Sequence, residues 1–206
     1  MKPISIVIPV RRSDSPEVTL RALAKQTNQD FDVIVSWQED ESKGVNFARN
    51  RGAELAGGGF ILFSDGDIEW ESDALQAMLN ALAKNPAASY AYGSYSMGGK
   101  IQCNVDFDAA RMKKANFVST MALIRREHFP GFDEDVLRLT DWALFLRMLI
   151  YHGRVGVYVG KLTFKTELRD GITQNGPVSY LEARAYVRKK FNLPMTSEDR
   201  AAGARA

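Results

Sequence analysis

Residues 60–67 read Phe-Ile-Leu-Phe-Ser-Asp-Gly-Asp, and this stretch decides the fold. Its first four residues form a short apolar run that is typical of a buried β-strand. Asp65 and Asp67 follow directly, so two carboxylates lie one residue apart where that strand ends. Open α/β sheets bind ligands outside the carboxyl ends of their strands, and paired carboxylates suit a hard cation such as Mg²⁺ or Mn²⁺. The alternative is an ordinary turn, because Asp-Gly is a strong turn dipeptide.

Strand-like and helix-like segments alternate around this stretch. Apolar runs predict strands at residues 4–10 and 31–35, and apolar residues at helical spacing predict helices near 16–24, 44–56 and 75–85. The order strand, helix, strand, helix, strand is the signature of a doubly wound, mostly parallel sheet. We therefore expect an α/β protein with three layers, in which helices cover both faces of one sheet.

After residue 88 the pattern changes. Residues 88–125 are richer in Ser, Tyr and Gly and predict strands, with a hairpin turn at Gly98-Gly99. Further elements are predicted to be a helix over 139–150, short strands at 155–159 and 162–164, and a last helix over 178–191. The small, polar residues 196–206 are expected to form a flexible tail. No linker separates independent domains, so we expect a single domain over 1–206.

Bulk composition excludes several classes of protein. A net charge of +2 over 206 residues gives no basic field for nucleic acid, so we expect no nucleic-acid partner. The single cysteine, Cys103, excludes an internal disulfide framework and a cysteine-based zinc site. No stretch has the length of a transmembrane helix. The first residues lead into a strand-like run without the layout of a signal peptide, so we expect a cytoplasmic protein.

Five pieces of the chain, in order, resemble the family 2 glycosyltransferases, which have the GT-A fold. They are residues 4–10, 44–52, 60–67, 129–134 and 139–142. The resemblance spans residues 4–150 and implies transfer of a sugar from a nucleoside-diphosphate sugar to a hydroxyl of a carbohydrate or glycan acceptor. It also implies inversion at the anomeric carbon, a divalent cation, Mn²⁺ or Mg²⁺, and a division into a nucleotide-sugar half, 1–87, and an acceptor half, 88–195. A UDP-sugar is the favoured donor.

The resemblance assigns chemistry to three acidic residues. Asp67, with Asp65 acting directly or through water or the ribose, would hold the metal that stabilises the leaving diphosphate. Asp141 matches the family's catalytic base, which takes the proton of the acceptor hydroxyl. Thr140 is predicted to cap the helix that begins there, so the helix dipole would favour the ionised form of Asp141. The alternative is that Asp141 is only a favourable residue at a helix start.

The donor is expected to contact residues from several segments. They are Pro9, Val10, Trp37, Glu39, Arg49, Asp65, Gly66 and Arg169. In the family, the arginine that matches Arg49 lies near the nucleotide base, whereas the alternative for this chain is a solvated surface charge. Arg169 and Asp170 belong to a segment that the resemblance predicts to close over the diphosphate, and the alternative is an ordinary surface loop.

Several positions depart from the family pattern. Arg11-Arg12 follows the first strand in place of an aromatic-Asn pair, and Trp37-Gln38 replaces the usual carboxylate after the second strand. Trp37 either stacks on the base or belongs to the core, and Glu39 is a candidate replacement for the carboxylate. Residues 161–176 contain no histidine, so a third metal ligand is unassigned.

Two other functions remain open at the level of sequence. A sugar nucleotidyltransferase also joins a nucleoside-binding α/β half to a metal, but residues 11–15 lack the glycines of its phosphate loop. The altered segment after the second strand is compatible with a non-catalytic relative that binds a nucleotide or sugar. The basic residues Arg184, Arg188, Lys189 and Lys190 form either a solvated helix face or a surface for a membrane that carries a lipid-linked acceptor. Homo-oligomerisation also stays open.

Overall fold

Strands and helices alternate through the first half of the chain, as the sequence predicts. The computed structural model describes residues 2–167 and 178–203. The strands are β1 Ile4–Arg11, β2 Phe31–Gln38, β3 Phe60–Phe63, β4 Glu69–Trp70, β5 Ala88–Met97, β6 Lys100–Gln102, β7 Leu123–Arg125 and β8 Val155–Thr166. The α-helices are α1 Glu17–Leu23, α2 Gly44–Glu54, α3 Ala74–Lys84, α4 Ala109–Lys114, α5 Thr140–His152, α6 Tyr180–Lys190 and α7 Ser197–Gly203.

All eight strands belong to one sheet, in the order β2-β1-β3-β7-β5-β8-β4, with β6 added to β5 as a hairpin. The longest pairings, β1 with β2 and β5 with β8, are parallel, as is the pairing of β1 with β3. The antiparallel pairings are short and are made by β7, β4 and β6. The sheet is therefore mostly parallel along its length, as predicted, and β7 joins its two halves.

Side chains from alternate positions of each strand enter different cores. Ile4, Ile6 and Ile8 of β1 pack with residues of α1 and α3, whereas Val7 packs on the other face with residues of α5 and α6. On β3, Leu62 packs in the same core as the β1 isoleucines, whereas Ile61 and Phe63 pack in the same core as Val7. A parallel sheet that is buried on both faces gives this pattern of continuous apolar strands. The three-layer α/β/α architecture is confirmed.

One glycine sets how closely a helix approaches the sheet. A Cβ atom on Gly52 of α2 would lie 2.3 Å from Cγ1 of Val7 and 3.3 Å from Cβ of Ser36. The first distance is too short for a real Cβ atom, and the second is tight. Gly52 therefore lets α2 lie directly on β1 and β2, which places the residues of α2 near the ends of these strands.

Four predicted elements differ from the structure. Residues 109–114 form α4 within a region expected to be strand, because Asp108 caps them by accepting a hydrogen bond from the Arg111 amide. The two short strands expected at 155–159 and 162–164 are one strand, which passes through Gly160 at a φ of 73°. Leu139, not Thr140, precedes the first residue of α5. Residues 197–203, expected to be flexible, form α7.

The basic stretch of α6 faces acidic partners within the protein. Arg184 pairs with Glu198 and Asp199, and Arg188 also pairs with Asp199. Lys190 pairs with Asp133. Arg184, Arg188 and Lys190 are therefore paired within the protein, whereas Lys189 is exposed. In the part of the chain that the structure describes, no helix is long and apolar enough to cross a bilayer.

Candidate active site

The carboxyl ends of β1, β2 and β3 lie side by side and define one edge of the sheet. Pro9 and Val10 of β1 are buried there, opposite Ser36 and Trp37 of β2 in the register of the pair. The acidic loop, defined here as Asp65-Gly66-Asp67, follows β3 at the same edge. The topology therefore brings together most of the residues that the sequence predicts for the donor.

The acidic loop is fixed by the first turn of α1. The hydroxyl of Thr19, which is fully buried, donates to the carbonyl of Asp65 at 2.6 Å and accepts from the amide of Ile68 at 2.9 Å. A Cβ atom on Gly66 would lie 3.2 Å from both the Pro16 Cα and the Ser15 carbonyl oxygen. Gly66 thus permits the close approach of α1, and Thr19 holds the loop backbone. Thr19 could not be predicted from the sequence, because a lone threonine in a helix carries no signal.

Arg49 connects the acidic loop to the start of α5. Its Nη2 atom lies 2.9 Å from Oδ1 of Asp65, and its Nη1 atom donates to the hydroxyl of Thr140 at 3.3 Å. The Arg49 side chain is only 6% exposed, whereas that of Asp65 is 43% exposed. The alternative of a solvated charge is therefore wrong for Arg49. Its expected proximity to a nucleotide base stays a prediction.

Asp141 lies in the first turn of α5 and accepts hydrogen bonds on both carboxylate oxygens. Nδ2 of Asn116 donates to Oδ2 at 2.7 Å, and the amide of Trp142 donates to Oδ1 at 2.8 Å. The predicted cap by Thr140 is wrong: Thr140 is the first residue of the helix, and its hydroxyl accepts from Arg49 instead. Leu139, just before it, has a left-handed backbone with φ of 61°, a strained conformation for a leucine.

Burial raises the pKa of Asp141 above its ordinary value, because the low-dielectric surroundings disfavour the charged carboxylate. Hydrogen bonds from Trp142 and Asn116 and the charge of Arg49 oppose this effect. The result is a fixed carboxylate with a higher proton affinity than a solvated aspartate. Such a group suits general base catalysis, in which a pKa closer to the working pH favours proton transfer.

Two asparagines of α2 hold the loop of residues 131–136. Nδ2 of Asn46 donates to the carbonyls of Asp133 and Val136 at 2.8 and 3.1 Å. The Asn50 side chain accepts from the amide of Phe132 at 2.8 Å and donates to its carbonyl at 3.0 Å. Three pieces of sequence, 44–52, 60–67 and 129–134, therefore form one hydrogen-bonded unit, which explains why they occur together.

The predicted donor residues at the β2 end are placed at the surface. Trp37 is 51% exposed, so the alternative of a core tryptophan is wrong. Glu39 is exposed in the loop that follows. Arg169 and Asp170 lie outside the described residues.

The acidic loop has two of the carboxylates that a divalent cation needs, but not a complete set of protein ligands. Asp65 and Asp67 could supply carboxylate oxygens as ligands, and Asp65 keeps a partly exposed side chain while Arg49 holds one of its oxygens. Within residues 2–167 and 178–203, no group of three or more His, Cys, Asp or Glu side chains gathers into a metal site. Mg²⁺ commonly uses one or two carboxylates and completes its coordination with water and substrate phosphates. The loop therefore suits a cation that binds together with a diphosphate.

The chain belongs to glycosyl transferase family 2, because the model of that family matches residues 10–130. This match includes the acidic loop and the asparagines of α2 but ends before Asp141. The matched span therefore contains the first part of the candidate site but not its second part. No curated protein sequence matches the chain.

Solved structures of S. aureus TarS have a similar fold. TarS 1–349 in complex with UDP-GlcNAc has a TM-score of 0.71 and 15% identity, over 99% of this chain and 71% of that one. The same part of TarS in complex with UDP has a TM-score of 0.70 and 15% identity, over 99% and 70% of the two chains. A longer TarS structure has a TM-score of 0.69 and 15% identity over 98% of this chain, which spans only 41% of it. At this identity the likeness is one of fold, and it confirms the expected GT-A architecture.

Proposed function

We propose that this protein is a metal-dependent, inverting glycosyltransferase that uses a nucleoside-diphosphate sugar. The observation that carries the proposal is the bridge made by Arg49 between the acidic loop and the start of α5. This bridge links the acidic loop, which is the candidate metal site, to Thr140, the residue next to Asp141. The membership in glycosyl transferase family 2 supports the same reaction.

The reaction assigns a separate role to each part of the site. The oxygen of the acceptor hydroxyl forms a bond to the anomeric carbon while the bond from that carbon to the diphosphate breaks. Asp141 takes the hydroxyl proton, and the nucleoside diphosphate leaves with the bonding electron pair. A cation held by Asp67 and Asp65 would supply positive charge for the leaving diphosphate.

The donor that we favour is a UDP-sugar, ahead of a dTDP-sugar. The exposed ring of Trp37 lies in register with Val10 at the end of β1 and offers a face on which a base can stack. TarS, which has a similar fold, forms complexes with UDP and with UDP-GlcNAc. The acceptor is a carbohydrate or glycan hydroxyl.

The metal role is tested by calorimetric titration of UDP in the presence of Mn²⁺ and in the presence of a chelator. We expect Mn²⁺ to strengthen binding to the wild-type protein, and we expect folded Asp67→Ala to lose that strengthening. Asp30→Ala is the matched control, because Asp30 is an exposed aspartate that pairs with Lys2 away from the site. Equal UDP affinity with metal and with chelator in the wild type would contradict the metal dependence.

Assays of UDP-sugar hydrolysis and of transfer to a panel of sugars distinguish the remaining functions. A non-catalytic relative would bind UDP but neither hydrolyse nor transfer the donor. A sugar nucleotidyltransferase would instead form a nucleotide sugar from a nucleoside triphosphate and a sugar phosphate. Segment 11–15 contains no glycine, which disfavours that reaction because its phosphate loop requires close backbone approach.

A further inference from the structure

Asn116 is a polar neighbour of Asp141 that comes from a different part of the chain. It follows α4 directly and is partly buried, and its Nδ2 atom lies 2.7 Å from Oδ2 of Asp141. Its own Oδ1 atom accepts from the amide of Val118 at 3.3 Å, which orients the amide group. The Nδ2 hydrogen-bond donor of Asn116 is therefore directed at the Asp141 carboxylate by the local structure.

The end of α4, which carries Asn116, is fixed by two long side chains. Nη2 of Arg188 donates to the carbonyl of Lys114 at 2.7 Å, and Nε1 of Trp142 donates to the carbonyl of Met112 at 2.7 Å. Arg188 also lies over the Trp142 ring, with 5.6 Å between its guanidinium carbon and the ring centroid. Both contacts satisfy carbonyls at a helix end, which otherwise lack partners.

Arg188 is in turn fixed by the last helix. Its side chain is 10% exposed, and its Nε atom lies 3.3 Å from Oδ2 of the fully buried Asp199, an ion-pair contact without the geometry of a hydrogen bond. Nη1 of the same residue donates to the carbonyl of Pro194 at 2.6 Å. A continuous set of contacts thus runs from α7 through α6 and the end of α4 to the carboxylate of Asp141.

We propose that Asn116 is a positioning residue for Asp141, and that the ion pair of Arg188 with Asp199 holds the segment that bears Asn116. The inference rests on the proposed role of Asp141 as the base. Asn116 fixes the orientation of the carboxylate and stabilises its charged form, because a hydrogen bond donated to a carboxylate favours ionisation. Small displacements of a reacting group cost large factors in rate.

Other charged and titratable groups also face Asp141. Arg49 of α2 lowers its pKa. Tyr95 of β5 faces it as well, and the pKa of the Tyr95 hydroxyl is raised first by burial and then by the charge of Asp141. Removing Asn116 leaves Arg49 and Tyr95 in place, so the change in the pKa of Asp141 isolates the contribution of the amide.

The first experiment measures the pKa of Asp141 directly by ¹³C NMR of labelled aspartate carboxyls, with the signal identified by its absence in Asp141→Asn. We expect Asn116→Leu, which keeps the approximate shape, and Asn116→Ala to raise this pKa by about one unit. The acid limb of the transfer rate should move to higher pH by the same amount, with little change in the KM of the donor. Asn80→Ala is the control, because Asn80 is an exposed amide of α3 that contacts Gln76.

The second experiment compares two arginines of α6. Arg188→Lys keeps the charge but removes the fork that reaches Lys114, whereas Arg184→Lys changes a residue that pairs with the same Asp199 without contacting α4. We expect Arg188→Lys to raise the pKa of Asp141 in the same direction as the Asn116 variants, and we expect Arg184→Lys to leave it unchanged. Equal effects of the two variants would show that general loosening of α6 and α7 is responsible.

An unchanged pKa of Asp141 in folded Asn116→Leu and Asn116→Ala would overturn the inference. This outcome is distinct from failure of the proposed function, which would appear as a wild-type protein that neither binds a nucleoside diphosphate nor transfers sugar. The NMR titration needs no substrate, so it decides the role of Asn116 in either case.

Discussion

Asp141 lies at the edge of the candidate site, yet its carboxylate is partly shielded from solvent and held by hydrogen bonds. Its position in the first turn of α5 places it at the edge of the site, while burial raises its pKa and two hydrogen bonds fix its oxygens. The buried face of α5, which includes Trp142, Phe145 and Leu146, anchors the helix to the core. This rigidity is what a base needs to meet an acceptor hydroxyl in one geometry.

We predict that Asp141→Asn lowers sugar transfer by about 10²-fold or more, the usual scale of general base catalysis. The amide keeps the shape of the side chain but cannot take the proton, so UDP and Mn²⁺ should bind nearly as they do to the wild type. Rates of transfer and calorimetric affinities are measured on both proteins. Transfer by Asp141→Asn at the wild-type rate would reduce Asp141 to a helix-start residue.

Trp37 supports a second prediction at the scale of a single residue. Because its ring is half exposed beside the end of β1, we expect Trp37→Ala to weaken UDP binding by about 1–3 kcal/mol, the measured range for loss of one base–aromatic stack. Tyr151→Ala is a control that removes another exposed aromatic, from the last turn of α5. A panel in which GDP or ADP binds better than UDP would contradict the choice of a pyrimidine.

Residues with strong local signals were predictable from the sequence, and residues that act through tertiary contacts were not. Asp65, Asp67 and Asp141 stand out because they follow a strand or begin a helix in a recognisable order. Asn116 has no such pattern, since its partner is 25 residues away in the sequence. Arg49 was selected for a contact with the nucleotide base, but its ion pair with Asp65 emerged only from the packing of α2 on the sheet.

At the scale of elements, α7 makes a testable contribution to stability. Asp199 is fully buried and contacts both Arg184 and Arg188, whereas Glu198 pairs with Arg184 but is 67% exposed. We expect Asp199→Ala to lower the free energy of unfolding by about 3–5 kcal/mol, because it leaves the buried guanidinium of Arg188 without its ion-pair partner. Glu198→Ala should cost less than about 1 kcal/mol, as exposed ion pairs do. Urea denaturation of the three proteins checks this, and similar losses for both variants would contradict it.

The same aspartate predicts a pH dependence. Burial alone would raise the pKa of Asp199, but hydrogen bonds from Thr196 and Arg184 outweigh it, so this pKa lies below its ordinary value of 3.8. A lowered folded-state pKa stabilises the protein above the ordinary pKa, and this stabilisation is lost as the pH falls through the folded-state value. The stability difference between the wild type and Asp199→Asn should therefore be full at pH 6 and shrink below about pH 4. Denaturation curves at several pH values test this, and a constant difference would contradict it.

Helices α4 and α7 were not predicted from the sequence, although residues at their starts are typical helix caps. Asp108 caps α4, and Thr196 and Asp199 exchange hydrogen bonds across the first turn of α7. A threonine followed three residues later by an acidic residue is a helix-start pattern. The continuity of β8 was harder to predict, because Gly160 and the irregular register against β5 resemble a break between two strands.

At the scale of the whole molecule, the two halves of the chain share one sheet. β7, from the second half, lies between β3 and β5, and β4, from the first half, pairs with β8. A fragment of residues 1–87 would therefore leave one side of β3 without its partner strand and expose buried residues such as Ile61 and Phe63. We predict that this fragment has no cooperative urea transition by circular dichroism, in contrast to the full chain. A sharp transition would show that the first half folds alone.

The placement of β7 also orders events during synthesis on the ribosome. β3 leaves the exit tunnel long before Leu123–Arg125, and β4 leaves it long before its partner Phe164. Until those later residues emerge, the nascent chain carries an unpaired strand edge next to apolar side chains, which is the kind of surface that aggregates or recruits chaperones. The strand that unites the finished sheet is thus also the reason that the edge of β3 stays unpaired until residues 123–125 have been synthesised.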